Sequence, residues 1–227
     1  NKVRQNNPLI IIALDYDNET DVLDLCNKLS PAECRLKVGK QLFTKYGPDI
    51  IEKIHNLGFE IFLDLKLHDI PNQVKKTINA IGSLNCVKYL TVHTSGNYEM
   101  LKSAQDTGLV ELLGVTVLTS QSNLEGVGIK NSIKDQIKNL VNLAIKANLS
   151  GVIASAQDIS LVRSLSKEIK IFCPGIRSGE DKQDQKRVMS HADFSKIADD
   201  KCYAVIGRPI IEGDPVQNIK KIIQSTN

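Results

Sequence analysis

Asp64 and Lys66 stand two residues apart in the run Phe62-Leu63-Asp64-Leu65-Lys66-Leu67-His68-Asp69, with a second carboxylate at its end. Side chains alternate along a strand, so both charges fall on one face at roughly 7 Å while Leu63 and Leu65 take the other. Burying charge costs several kcal/mol per ion, and apolar replacements are often more stable. The pair therefore needs a reason. An ammonium held by carboxylates can stabilise negative charge that develops during a reaction and can then deliver a proton. The structural alternative is an ion pair that closes the mouth of a barrel.

Other polar residues end apolar runs in the same way. Asp15 closes Leu9-Ile10-Ile11-Ile12-Ala13-Leu14, Lys37 sits within Leu36-Lys37-Val38-Gly39, and His93 ends Thr91-Val92-His93. Thr119 and Ser120 follow Thr116-Val117-Leu118. Taken singly, a histidine of this kind is more often a core imidazole, and Thr119 or Ser120 a turn or cap. A second signal lies further on, in Cys173-Pro174-Gly175-Ile176-Arg177 and Val205-Ile206-Gly207-Arg208-Pro209. Glycine N–H groups beside a cation, in the loops after the last two strands of a barrel, suit a phosphate. The polar stretch 178–187 between them reads equally as a solvated loop or as a hinged lid.

These residues need strands whose ends converge. Strands are expected at Leu9–Asp15, Arg35–Gly39, Phe59–Lys66, Tyr89–Thr94, Leu112–Thr119, Gly151–Ser155, Lys170–Cys173 and Tyr203–Gly207. Helical spacing separates them, clearest in Ile133, Ile137, Leu140, Val141, Ala144 and in Ile50, Ile51, Ile54, Leu57, with Asp214-Pro215 opening the last helix. The pattern predicts one α/β domain over 1–227, a single (β/α)8 TIM barrel, with 1–8 an irregular N-terminal segment. An open doubly wound sheet is the second choice.

The length of 227 residues suits such a barrel, and 41% hydrophobic with 24% charged residues is ordinary globular composition. A net charge of +3 with interspersed signs, 4% aromatics and no Trp give no footprint for nucleic acid or an anionic membrane. The six-residue run Leu9–Leu14 is far short of the ~20 needed to cross a bilayer. Five cysteines at long, unpatterned spacings read as core thiols in a reducing compartment, and the cytoplasm is the expected location.

Nearly the whole chain resembles the orotidine 5′-monophosphate decarboxylase family. The resemblance runs through Ala13-Leu14-Asp15, Leu36-Lys37-Val38-Gly39, Phe62 to Asn72, Val115 to Ser120, Pro174-Gly175-Ile176-Arg177 and Gly207-Arg208-Pro209. It implies decarboxylation of orotidine 5′-monophosphate to UMP in pyrimidine biosynthesis, without cofactor or metal. It implies a Lys-Asp-Lys-Asp catalytic array at Lys37, Asp64, Lys66 and Asp69, and a homodimer in which Asp69 enters the partner's site. Carried over by position, Asp15 and Lys37 bind the ribose, Ser120 with Thr119 the pyrimidine edge, and Gln185, Arg177 and Arg208 with Gly207 the phosphate, while Pro174 lines the pocket. Gln73 and Cys173 stand where the family usually has Thr.

Three other readings compete. A sister family of barrels shares Asp-x-Lys-x-x-Asp and holds Mg2+ to act on a sugar phosphate, but there an acidic residue stands where this chain has Lys37. A Schiff-base aldolase needs a lysine of lowered pKa, which flanking aspartates oppose. A phosphate-ligand binding protein has no use for paired charges at the mouth.

Overall fold

The computed structural model describes residues 7–177 and 188–224. Seven strands follow one another as β1 (Ile10–Ala13), β2 (Arg35–Gly39), β3 (Ile61–Leu67), β4 (Val87–His93), β5 (Glu111–Val115), β6 (Gly151–Ile153) and β7 (Lys170–Cys173). A short pair, β8 (Ile176–Arg177) and β9 (Met189–Ser190), precedes the last strand β10 (Cys202–Ile206). β1 to β7 and β10 close an eight-stranded barrel in the order β1-β10-β7-β6-β5-β4-β3-β2, and every neighbouring pair is parallel. The helices are α1 (Glu19–Lys28), α2 (Lys40–Tyr46), α3 (Pro48–Asn56), α4 (Pro71–Gly82), α5 (Asn97–Gln105), α6 (Ile133–Lys146), α7 (Ile159–Leu165), α8 (His191–Ile197), α9 (Arg208–Ile211) and α10 (Pro215–Gln224). This is the expected (β/α)8 barrel.

Local chemistry starts the helices where the loops need them to turn. The side chains of Asn18, Ser132 and Ser190 accept the backbone N–H of Asp21, Asp135 and Asp193, so each satisfies a donor that the first helical turn leaves open. Pro48, Pro71 and Pro215 occupy the first position of α3, α4 and α10, where proline's missing N–H costs nothing.

Parity along the strands divides the core in two. One set, including Ile12, Leu36, Leu63, Leu90, Val152 and Ile171, packs outward against the helices. The other fills the barrel with Ile11, Phe62, Tyr89, Leu113, Phe172, Tyr203 and Val205. Phe172 stacks on Tyr203 at 4.4 Å between centroids and meets Tyr89 edge-on at 5.0 Å, both favourable ring geometries.

Below this plug, charges of alternating sign gather at the starts of β2 to β5 and of β7. Arg35 pairs with Glu60 at 3.4 Å, Lys88 with Glu111 at 3.0 Å and Lys170 with Glu111 at 2.6 Å, while Lys88 approaches Glu60 at 3.9 Å. Arg35 is buried beneath the rings of Tyr89 and Tyr203 and donates to the carbonyl of Pro8. The N-terminal end of the barrel is thus closed by charge and aromatic packing. The opposite end remains available for a site.

Strand ends fall within two residues of their expected places, with β5 the exception. β5 stops at Val115 instead of reaching Thr119, because Thr116 turns its hydroxyl to the carbonyl of Ile153 at 2.8 Å and the chain folds into a turn from Leu118 to Gln121. The pair β8–β9 has no counterpart in the expected strands, since two-residue strands carry no periodic pattern.

Candidate active site

At the C-terminal end of the barrel, β2 and β3 bring Lys37 and Asp64 together. Leu36 and Val38 are fully buried against the helices, so parity turns Lys37 inward, and its Nζ lies 3.2 Å from Asp64 Oδ2. Lys66 Nζ reaches the same oxygen at 2.8 Å. Asp64 is only 7% exposed and also receives the hydroxyl of Thr91, from β4, on Oδ1 at 2.8 Å. Burial alone raises the pKa of this carboxyl, but the Lys37 and Lys66 ammonium groups, aided by the hydrogen bonds from Lys66 and Thr91, outweigh it and hold the pKa below the ordinary value. Asp64 is therefore an anion shared by two cations.

The backbone departs from regular strand at Lys66, whose φ is +49°. A side-chain-bearing residue adopts this left-handed region only when its surroundings impose it. Beyond it, Asp69 lies on the exposed loop before α4, and its carboxylate accepts the N–H of Ile70 at 2.7 Å. Among the described residues Asp69 forms no ion pair. Gln73 is exposed on the first turn of α4, on the same rim.

Two cavities meet at Lys37. One, of about 210 Å3, is lined by Asp15, Lys37, Pro174, Gly175, Arg177, Gly207 and Arg208 among others. The other, of about 150 Å3, is lined by Asp64, Lys66, Thr119 and Ser155 with the apolar side chains of Phe62, Val115, Val117, Leu118, Ile153 and Ala154. Lys37, Pro174 and Val205 border both. One half is charged and the other largely apolar.

Glycines shape the charged half. A Cβ at Gly207 would sit 2.7 Å from Asp15 Oδ2, so any side chain there would push that carboxylate aside. Gly175, with φ +75°, turns the chain between β7 and Arg177. The Arg177 Nη1 is buried without a hydrogen-bond partner, in a cavity whose chemistry suits an anion.

The structure gathers Asp15, Lys37, Asp64, Lys66, Thr119, Pro174, Arg177, Gly207 and Arg208 around these two cavities. Ser120 does not line either; it is exposed on the turn that ends β5 early. Gln185 lies outside the described residues. Cys173 packs into the outer core and away from the cavities. His93 is half-buried against His68, at 5.6 Å between rings, and burial with the nearby His68 lowers its pKa.

Two site residues lacked an individual signal in the sequence. Thr91 is a hydroxyl amid an apolar strand, and its neighbour Asp64 on the adjacent strand β3 is what makes it matter. Ser155 stands at the cap position before a short 3-10 turn without capping it, and its hydroxyl is buried and without a partner beside the apolar cavity.

Residues 8–222 match the family model for the orotidine 5′-phosphate decarboxylase / HUMPS family. The chain belongs to that family. An orotidine 5′-phosphate decarboxylase of Vibrio parahaemolyticus is 43% identical over 95% of this chain and 96% of its own. One of Vibrio cholerae is 42% identical, covering 97% and 99% of the two chains. Among solved structures, the orotidine 5′-phosphate decarboxylase of Lactobacillus acidophilus superposes with a TM-score of 0.84 at 29% identity, over 97% of this chain and all of that one. By this kinship the protein is a carboxy-lyase.

Proposed function

We propose that the protein converts orotidine 5′-monophosphate to UMP by stabilising and protonating a carbanion at C6 of the pyrimidine. The observation that carries this reading is the shared Asp64 carboxylate, which holds the Lys66 ammonium in the wall of the largely apolar cavity, beside the Lys37 that borders both cavities. The C6–carboxylate bond breaks, CO2 departs and its electron pair stays on C6 in the ring plane, where the ring carbonyls cannot delocalise it. A fixed cation must face that position. The Nζ of Lys66 does so and passes a proton to C6, leaving a neutral amine that solvent reprotonates.

The remaining roles follow from the same pose. Arg177 and Arg208 hold the phosphate, with Gly207 permitting close approach, and Gln185 adds to them. Asp15 and Lys37 hold the ribose. The apolar cavity takes the pyrimidine, whose polar edge meets Thr119 and the unpartnered hydroxyl of Ser155. Phosphate binding is remote from C6, so its free energy can order the site around the reacting ring. Asp69, exposed on its own subunit, enters the partner's site in a two-fold homodimer.

A divalent ion on Asp64 would have to displace two ammonium groups from Oδ2, which disfavours the Mg2+-dependent alternative. The five unpaired thiols suit a reducing, cytoplasmic setting. No helix among the described residues is long and apolar enough to cross a membrane.

The test is to mix the protein with orotidine 5′-monophosphate and EDTA and to follow loss of orotate absorbance together with appearance of UMP. Turnover that survives the chelator supports the reading. Absence of turnover, or turnover restored only by Mg2+, overturns it.

A further inference from the structure

We infer that Thr91 is a positioning residue for the reaction proposed above, because one buried hydroxyl fixes both the carboxylate of Asp64 and the backbone from which Lys66 projects. The inference rests on that reading and deepens it.

β3 and β4 pair at Leu63 with Leu90 and again at Leu67 with Val92. Between these pairs β3 carries Asp64, Leu65 and Lys66, whereas β4 carries Thr91 alone. The excess residues bulge out of the ladder, and a bulge leaves backbone groups without their usual partners. Lys66 sits in this bulge with its φ of +49°.

Thr91 supplies what the ladder lacks. Its Oγ1 accepts the Lys66 backbone N–H at 2.9 Å and donates its proton to Asp64 Oδ1 at 2.8 Å. A hydroxyl has one proton to give and lone pairs to receive, so the two bonds use it in both directions at once. Thr91 is 0% exposed, so its hydroxyl is out of reach of bulk solvent.

The consequence reaches the ammonium groups. With Oδ1 taken by Thr91, the carboxylate presents Oδ2 to Lys66 at 2.8 Å and to Lys37 at 3.2 Å. Without that bond the carboxylate can rotate, and without the other the left-handed backbone at Lys66 loses its tether. Either change moves the Lys66 ammonium relative to C6. Thr91 itself lines neither cavity.

The experiment compares Thr91→Val, which keeps the shape and removes both bonds, with Thr91→Ser, which keeps the hydroxyl. Thr91→Val is expected to lower kcat for orotidine 5′-monophosphate by about 100-fold, the scale of a small misplacement of a catalytic group. The affinity for UMP, measured by calorimetry, should stay within about threefold, because the phosphate contacts are untouched. Thr91→Ser should recover kcat to within about fivefold of wild type, since it restores both bonds. If Thr91→Val does not fold, Thr91→Cys takes its place, with the same ordering below serine.

A valine or cysteine variant with near-wild-type kcat overturns the inference. So does a loss of kcat that serine fails to rescue, or one matched by equal loss of UMP affinity. An inactive wild type would instead bring down the proposed reaction, and this inference with it.

Discussion

Mixing subunits that carry Lys66→Ala with subunits that carry Asp69→Ala tests where Asp69 acts. Within one subunit the Lys66 ammonium is held by Asp64 beside the cavities, whereas Asp69 lies on the exposed rim loop beside Ile70, which is itself 67% exposed. In the proposed homodimer each lesion alone leaves every site defective. Lys66→Ala removes both a preorganised cation, worth about 10²–10³, and a proton donor, worth about 10²–10⁴, so a loss of at least ~10⁴-fold in kcat is expected. When equal amounts are dissociated together and reassembled at random, about half of the dimers are mixed. If Asp69 completes the partner's site, each mixed dimer has one site with both lesions and one with neither. About a quarter of wild-type sites then return, a signal far above either parent. The assay is loss of orotate absorbance per protomer, with the two chains carrying different tags so that mixed dimers are isolated and counted. The recovered sites should show the wild-type KM. Verified mixed dimers without activity would refute the shared site, because every site would then carry one lesion, and they would leave the decarboxylase assignment intact.

Lys66→Ala should keep UMP affinity within a few-fold by calorimetry while turnover is lost, since the ammonium acts on charge present only in the transition state; parallel loss of both would contradict this. Arg208→Ala should lower kcat/KM for the nucleotide by ~2–3 kcal/mol and leave the phosphate-free nucleoside nearly unchanged, and equal losses would remove Arg208 from the phosphate site. Asp199, bonded to Arg163 at 2.6 Å, is held at a pKa of about 2 chiefly by that hydrogen bond. A carboxyl with its pKa depressed by folding stabilises the folded state above its unfolded pKa of about 4 and loses that contribution between there and about 2. The Tm gap between wild type and Asp199→Asn should therefore be present at pH 7 and close across that window. At 43% exposure the gap corresponds to no more than about 1 kcal/mol, and a gap independent of pH would contradict the assignment. Phe172→Ala, emptying the middle of the barrel plug, should cost ~3–5 kcal/mol in urea unfolding, and a smaller cost would mean that the rings collapse into the space.

Asp64 and Lys66 were legible in the sequence because charge inside an apolar strand is costly and stands out against its neighbours. The barrel was legible for a related reason: runs such as Ile10–Ala13 and Lys170–Cys173 alternate with the helical spacing of Ile133, Ile137, Leu140, Val141 and Ala144, and Asp214-Pro215 opens the last helix. The extent of β5 is not legible because Thr116 and Val117 have strand-like side chains, and the contact of Thr116 with Ile153 and the turn from Leu118 to Gln121 end the ladder. Ser120 accordingly sits on a turn and not at a strand end.

What the sequence determined by itself was whatever depends on neighbours along the chain: the order of strands and helices, the parity that turns Lys37 inward, and the glycines and arginines that follow the last strands. What the tertiary structure decided depends on partners distant in sequence. The belt of Arg35, Glu60, Lys88, Glu111 and Lys170 is a set of unrelated single charges until closure sets the strand starts side by side. Asp64 becomes a shared anion only when β2 supplies Lys37 and β4 supplies Thr91. The left-handed turn at Lys66 has no local cause, since lysine disfavours it; the register between β3 and β4 imposes it and a hydroxyl on another strand holds it there.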